Sequence, residues 1–204
     1  VQADTEKRYT PADGLAGAGP CSLANDSAGN LWFAKAGRIG IWQGNQFTPR
    51  LQIPEQNIQL AAAKAGGMWV NAAGRIFRLE ANGEVVPLAT LPLRRSGVEM
   101  RAIFRDQADG VWVGTATDGL FHCRPDGVSR IETSHGEVLS IAQDWEGNLW
   151  AGTGGGGLNR IRPKVIALHG TANGLPFETV RSVCEGQAGR IWAATLDGAL
   201  ATLE

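Results

Sequence analysis

Apolar and polar residues alternate along this chain in short runs. No segment of 12 or more residues carries the i, i+3, i+4 rhythm of an amphipathic helix. Five alternating segments stand out: 21–24, 58–61, 101–104, 139–142 and 181–184. Each leads through a Gly-marked turn into a run built around a tryptophan, at Trp32, Trp69, Trp112, Trp150 and Trp192, with spacings of 37, 43, 38 and 42 residues. A third run follows each of them: Ile39–Trp42, Ile76–Leu79, Gly119–Cys123, Gly157–Ile161 and Gly198–Leu203. Ala-Gly, Asp-Gly or Gly-Asn before the Trp supplies the positive-φ residues of a tight hairpin. Gly44-Asn45, Asn82-Gly83 and Asp126-Gly127 mark a further hairpin, leading to a fourth strand such as Glu84–Ala89.

Four short strands in about 40 residues, repeated in register, is the arithmetic of a β-propeller blade. The expected fold is therefore all-β: one propeller domain over residues 1–204, built from five four-stranded repeats, with strands named A to D from the axis outward. The blades fall at about 20–51, 57–90, 99–132, 137–169 and 179–204. Residues 5–10, followed by Asp13-Gly14-Leu15, line up with 165–170, followed by Asn173-Gly174-Leu175. That match predicts an N-terminal strand that completes the last blade and closes a five-bladed ring. A fragment of a larger ring cut at a repeat boundary begins and ends in the same way. A Trp at one strand position of every blade is expected to fill the wedge between neighbouring blades.

Composition narrows the function. With 19 Lys+Arg against 20 Asp+Glu the net charge is −1, and no basic block marks a nucleic-acid surface. No run of about 18 apolar residues is long enough to cross a membrane. Cys21, Cys123 and Cys184 have no ligand spacing and are expected to be buried free thiols. His122, His135 and His169 fall in different strand contexts, so neither a metal nor a cofactor is expected. No G-x-S-x-G elbow is present, and Gly154–Gly157 lacks the Lys-Ser/Thr of a phosphate loop, reading instead as a close-packed or flexible turn. The chain begins at Val1 without a signal-peptide apolar region, which reads as a processed chain or a piece of a longer one.

Strand A runs along a propeller axis, so the D–A linkers and B–C loops emerge on one face, where candidate ligand residues collect. The linkers supply Arg94, Arg95, Glu99, Arg101, His135, Glu137, Glu178 and Arg181; the B–C loops supply Thr117, Asp118, Gly154–Gly157 and Asp197. Arg101 and Arg181 hold the same repeat position, and two guanidiniums at one channel mouth would favour a carboxylate or sulfate. Alternatively each pairs with Glu99, Glu178 or a neighbouring blade. Trp42 and Trp145 lie outside the repeat register and are the candidates for a sugar platform, although Trp145 falls on the opposite face.

The motif D-x-x-G-N-L-W-x-G-T, then G-G-L-N-R, with N-G-L-P in the linker, resembles the two-component regulator propeller repeat. It is clearest at Leu139–Arg162 and Asn173–Thr195, with Asp106–His122 close behind; the second blade departs, with Ala63 in place of the Asp. The resemblance implies the extracytoplasmic, periplasmic sensor part of a bacterial hybrid histidine kinase or diguanylate cyclase. Its ligand would be a small molecule or an oligosaccharide, a homodimer through the sensor would be a further partner, and this segment would not touch the membrane. It also implies more repeats and signalling modules than this chain carries. Gly29–Trp42 resembles the streptogramin lyase propeller repeat as well, without that enzyme's His and metal-site pattern. The leading reading is a non-enzymatic sensor propeller. The alternatives are a lyase-like propeller enzyme and a structural docking propeller, either a natural fragment or an engineered repeat array.

Overall fold

The computed structural model describes residues 8–15, 17–162, 170–187 and 190–203. The chain divides into two compact units, Val1–Arg162 and Pro163–Glu204. In the first unit β1 (Cys21–Asn25), β2 (Leu31–Lys35), β3 (Arg38–Gln43) and β4 (Gln46–Gln52) form one antiparallel meander. A second comprises β5 (Ile58–Ala62), β6 (Met68–Ala72), β7 (Arg75–Leu79) and β8 (Val85–Thr90). A third comprises β9 (Met100–Arg105), β10 (Val111–Thr115), β11 (Leu120–Arg124) and β12 (Gly127–Ile131). A fourth comprises β13 (Val138–Gln143), β14 (Leu149–Thr153) and β15 (Leu158–Ile161); its expected outer strand lies in 163–169, outside the described residues, as does His169. The second unit holds a three-stranded meander of β16 (Val180–Glu185), β17 (Ile191–Thr195) and β18 (Leu200–Leu203).

The all-β blade architecture expected from the repeats is the one observed. In the first unit the leading strands β1, β5, β9 and β13 lie side by side in chain order, so the sheets fan outward as propeller blades. The wedges between them are the core. Trp32, Ile39 and Ile41 pack on Ile58, Leu60 and Phe77 of the second blade. Trp69 and Ile76 pack on Met100, Val111 and Phe121 of the third, and Trp112 and Leu120 pack on Val138, Leu149 and Ala151 of the fourth. An indole covers roughly 150–250 Å², so at about 25 cal/mol per Å² each wedge Trp contributes roughly 4–6 kcal/mol of burial before entropy is charged. Trp150 is half-buried beneath the Arg160 guanidinium, 5.6 Å from its ring, and Trp192 in the second unit is 39% exposed.

Outer strands expose an unpaired edge, and this chain blunts two of them with proline. Pro49 in β4 and Pro87 in β8 each stand at a register shift, where no ladder N–H is required. The two aligned linkers fold alike: Pro11–Asp13 and Thr171–Asn173 form single 3₁₀ turns, each ended by a glycine, with φ of 96° at Gly14 and 103° at Gly174. Of the stretch 5–10 expected to complete the last blade, residues 5–7 lie outside the described residues, and Arg8–Thr10 carry no strand pairing. Aromatic packing accounts for their position. The Tyr9 ring meets Trp42 edge-on at 4.9 Å and Phe47 at 5.5 Å, on the outer strands of the first blade.

Candidate ligand-binding cleft

The B–C connections differ between blades. In the first two blades they are two-residue hairpins, Ala36-Gly37 and Ala73-Gly74, with positive φ at both positions (48° and 79°, 50° and 86°). In the others the loop runs 116–119, 154–157 or 196–199 and opens on a threonine. The hydroxyls of Thr115 and Thr153 donate to the carbonyls of Gly119 and Gly157 at 2.9 and 2.8 Å, closing each loop from inside, while that of Thr195 donates to Asp197 Oδ1 at 2.5 Å within its own loop. This is what the Thr of the W-x-G-T motif does.

In the third blade the longer loop carries Thr117 and Asp118. Asp118 is buried, its N–H donates to Thr115 Oγ1 at 2.8 Å, and its Oδ2 accepts the Arg94 backbone N–H at 2.7 Å. Arg130 Nε donates to the Asp118 carbonyl at 2.8 Å, and Ala116 N–H to the Glu99 carbonyl at 2.8 Å. Linker 94–99 and loop 116–118 are thereby fastened together around a cleft of about 600 Å³, lined by Arg94, Arg95, Glu99, Arg101, Thr117 and Asp118.

Six of the residues singled out from the sequence, Arg94, Arg95, Glu99, Arg101, Thr117 and Asp118, therefore share one cleft. Arg101 does not present a free guanidinium. Its Nη1 lies 2.8 Å from Glu99 and its Nε 3.4 Å from Glu137 in the next linker, so it bridges the linkers of two blades. Arg94 and Arg95 have no carboxylate at salt-bridge distance among the described residues. His135 sits beside the bridge, where its Nδ1 accepts the Glu137 N–H at 3.1 Å. Glu178 and Arg181 are exposed in the second unit. Gly154–Gly156 are close-packed on the linker: Gly154 N–H donates to the Glu137 carbonyl at 3.0 Å, and Ser134 Oγ to the Gly156 carbonyl at 2.6 Å.

The remaining candidates separate. Cys123 is buried, and burial pushes its thiol up to about 12, but Cys21 and Cys184 are exposed. The expectation of three buried thiols is thus corrected for two, which stand on leading strands β1 and β16 with their positions open to solvent. Trp42 is taken up in the Tyr9 and Phe47 cluster, while Trp145 is 89% exposed in the β13–β14 turn, at the other end of β14 from its B–C loop. Among the described residues no three of His, Cys, Asp and Glu come together as metal ligands, and no helix is long and apolar enough to cross a membrane.

A structural feature not assigned from the sequence is the carboxylate six residues before the Trp. Asp26 Oδ1 accepts the N–H groups of Ala28 and Asn30 at 2.9 Å, and Oδ2 accepts Asn30 Nδ2 at 2.9 Å and Trp32 Nε1 at 2.8 Å. Asp144 repeats the set with Glu146, Asn148 and Trp150. Burial pushes both carboxyls up, but these hydrogen bonds outweigh it and hold them below the usual range. The sequence signal, an Asp six residues before Trp32, Trp112 and Trp150, was present in the motif; its role needed the turn geometry.

Fanned antiparallel blades with polar loops and linkers gathered at one end define a β-propeller. The extracellular domain of a hybrid two component system, BT3049 from B. thetaiotaomicron, superimposes with a TM-score of 0.57 at 20% identity, over 90% of this chain and 28% of that one. The corresponding domain of BT4673 from B. thetaiotaomicron gives 0.56 at 21%, over 89% and 26%. The chain thus spans under a third of the length of these extracellular domains. Virginiamycin B lyase from Staphylococcus aureus gives 0.53 at 16%, over 91% of this chain and 70% of the enzyme. No family model matches the chain, and no curated protein sequence matches it. At these identities the likeness is one of fold.

Proposed function

We propose that this chain is the ligand-binding part of an extracytoplasmic sensor propeller, a binding module rather than an enzyme, and that its ligand is an oligosaccharide. The observation that carries the reading is the 600 Å³ cleft at the linker end of the third blade. Propeller ligands gather at that end, and the cleft exists because a long B–C loop replaces the two-residue hairpin of the first blades. Two observations support the sensor role: the fold shared with extracellular domains of two-component systems, and the repeat motif at Leu139–Arg162. A periplasmic location is part of the same proposal.

A ligand that binds only the folded state raises its stability by mass action, so a thermal-shift screen needs no knowledge of the downstream output. Neutral and acidic oligosaccharides at millimolar concentration are expected to include at least one that raises Tm by several degrees. Absence of a shift across the whole screen would count decisively against the sensor reading.

A further inference from the structure

We propose that the cleft of the third blade recognises an anionic oligosaccharide, one bearing carboxylate or sulfate groups, and that Arg94 and Arg95 are the residues that grip the anion. The inference rests on the sensor reading and sharpens it.

The cleft has three guanidiniums, but they are not equivalent. Arg101 is already divided between Glu99 at 2.8 Å and Glu137 at 3.4 Å. Its charge is offset, and its fork is committed to holding two linkers together. Asp118, the other acid in the wall, is spent on the Arg94 backbone N–H at 2.7 Å. That bond fixes where the Arg94–Arg95 step of the linker lies while leaving both side chains out of the network. Two adjacent, exposed guanidiniums, unpaired among the described residues, therefore face a cleft whose two carboxylates are both engaged. A guanidinium offers parallel N–H donors that match a carboxylate or a sulfate and stays charged at every physiological pH. A sugar hydroxyl gives the same fork a weaker, neutral partner. The anion site is accordingly the Arg94–Arg95 step, and the Arg101–Arg181 pair suggested by the repeat register is not needed for it.

The test is titration calorimetry with paired probes. Tetragalacturonate is set against its methyl ester, and a sulfated tetrasaccharide against its desulfated form, on the wild type, Arg94→Gln/Arg95→Gln and Arg94→Lys/Arg95→Lys. At least one acidic probe is expected to bind tenfold or more tightly than its neutral partner. That preference should disappear in the Gln variant and return only partly in the Lys variant. The carboxylated and sulfated arms decide which anion is read. Both positions are exposed, so unfolding curves of the variants should overlay the wild type. Acidic and neutral partners binding equally would overturn the anionic assignment while leaving an oligosaccharide sensor intact. An acidic preference that survives in the Gln variant would move the anion away from Arg94 and Arg95. Binding of no probe, neutral or acidic, would remove both this inference and the reading beneath it.

Discussion

The turns that precede Trp150 and Trp112 occupy the same place in neighbouring blades and are completed by different residues. In the fourth blade Asp144 Oδ2 receives Trp150 Nε1 at 2.8 Å and Asn148 Nδ2 at 2.9 Å. In the third blade Asp106 Oδ2 receives Trp112 Nε1 at 2.8 Å, but Gly110 stands where the Asn would be. The space is filled from the third strand: His122 stacks flat on Trp112, with centroids 3.8 Å apart and planes at 11°, and brings Nε2 to 3.2 Å from the same oxygen. In the fourth blade the matching cross-strand residue is Arg160, whose guanidinium lies over the ring instead. What is preserved is a carboxylate that ties turn to indole and a cationic or polar ring cover. The residue that completes the oxygen's surroundings is interchangeable between the turn and the neighbouring strand, provided the two change together.

Removing the shared carboxylate should have the largest effect. Asp106→Ala strands the N–H groups of Ala108 and Gly110 and a buried indole N–H at once. At about 1–3 kcal/mol for each buried donor left unpaired, partly relieved by water at the turn, the expected loss is about 3 kcal/mol in urea unfolding. Asp144→Ala should lose less, because its turn is open to solvent. Equal losses would mean that burial does not distinguish the two turns.

The next effect is a steric one. A Cβ at Gly110 would press into His122 Nε2 and come within 2.8 Å of Asp106 Oδ2. Gly110 has no positive φ, so the obstacle is the ring and not the backbone. Gly110→Asn should therefore cost about 2 kcal/mol through overpacking. Adding His122→Arg rebuilds the fourth-blade arrangement and should recover most of that loss, a coupling of about 1–2 kcal/mol in a double-mutant cycle. Additive single effects would refute the idea that the two positions share one space.

These pairings mark the boundary of what was legible in the sequence. The strands were legible, because Gly-marked hairpins and a Trp every 40 residues or so mark each run. The wedge role of Trp32, Trp69 and Trp112 followed from register alone. Topology also placed the linker and B–C loop residues at one end, which is why Arg94, Arg95, Glu99 and Arg101 appear together in the cleft. That Arg101 pairs with Glu99 or with a neighbouring blade was open from the sequence, but the particular partner across the boundary was not legible. Glu137 takes part of Arg101 from the following repeat, and no local pattern reveals a distance of 3.4 Å across a blade boundary. The aromatic cluster that draws Tyr9 onto Trp42 and Phe47 likewise depends on a contact between residues more than thirty positions apart.

A smaller effect separates the blades by pH. Burial lowers the His122 pKa and the Arg124 charge lowers it further, while Asp106 and Asp126 raise it; the net direction is downward. The unfolded state then binds more protons than the folded one once pH drops below about 6.5. Stability should be fully present above that value and fall as pH moves down toward the lowered pKa, by at most about 1.4 kcal/mol per pH unit from this one group. Subtracting the curve for His122→Gln isolates the group from the carboxylates, which titrate lower. A difference curve that is flat between pH 5 and pH 7, or one that slopes the other way, would show that the stacked ring is not held neutral.

The smallest expected change lies in the second blade, where the carboxylate itself is missing. Ala63 occupies the Asp position, and Trp69 Nε1 points instead to Oδ1 of Asp109 in the third blade, at 3.4 Å; the same oxygen accepts Lys64 N–H at 3.1 Å. Asp109 has φ of 67°, at the turn position where Gly29, Gly66 and Gly147 stand in the other blades. A non-glycine residue there costs roughly 1–2 kcal/mol, less for Asp, whose short side chain tolerates the conformation. Asp109→Gly would remove that cost and also the acceptor for two N–H groups, a long and partly exposed pair worth about 1 kcal/mol. The two terms oppose each other, so global stability should move by less than about 1 kcal/mol in either direction. Local protection should not cancel in this way. Amide exchange at Lys64 should quicken in Asp109→Gly and stay near wild type in Asp109→Asn, which keeps an oxygen in place. Unchanged exchange in the glycine variant would show that the second blade holds its turn without the borrowed carboxylate.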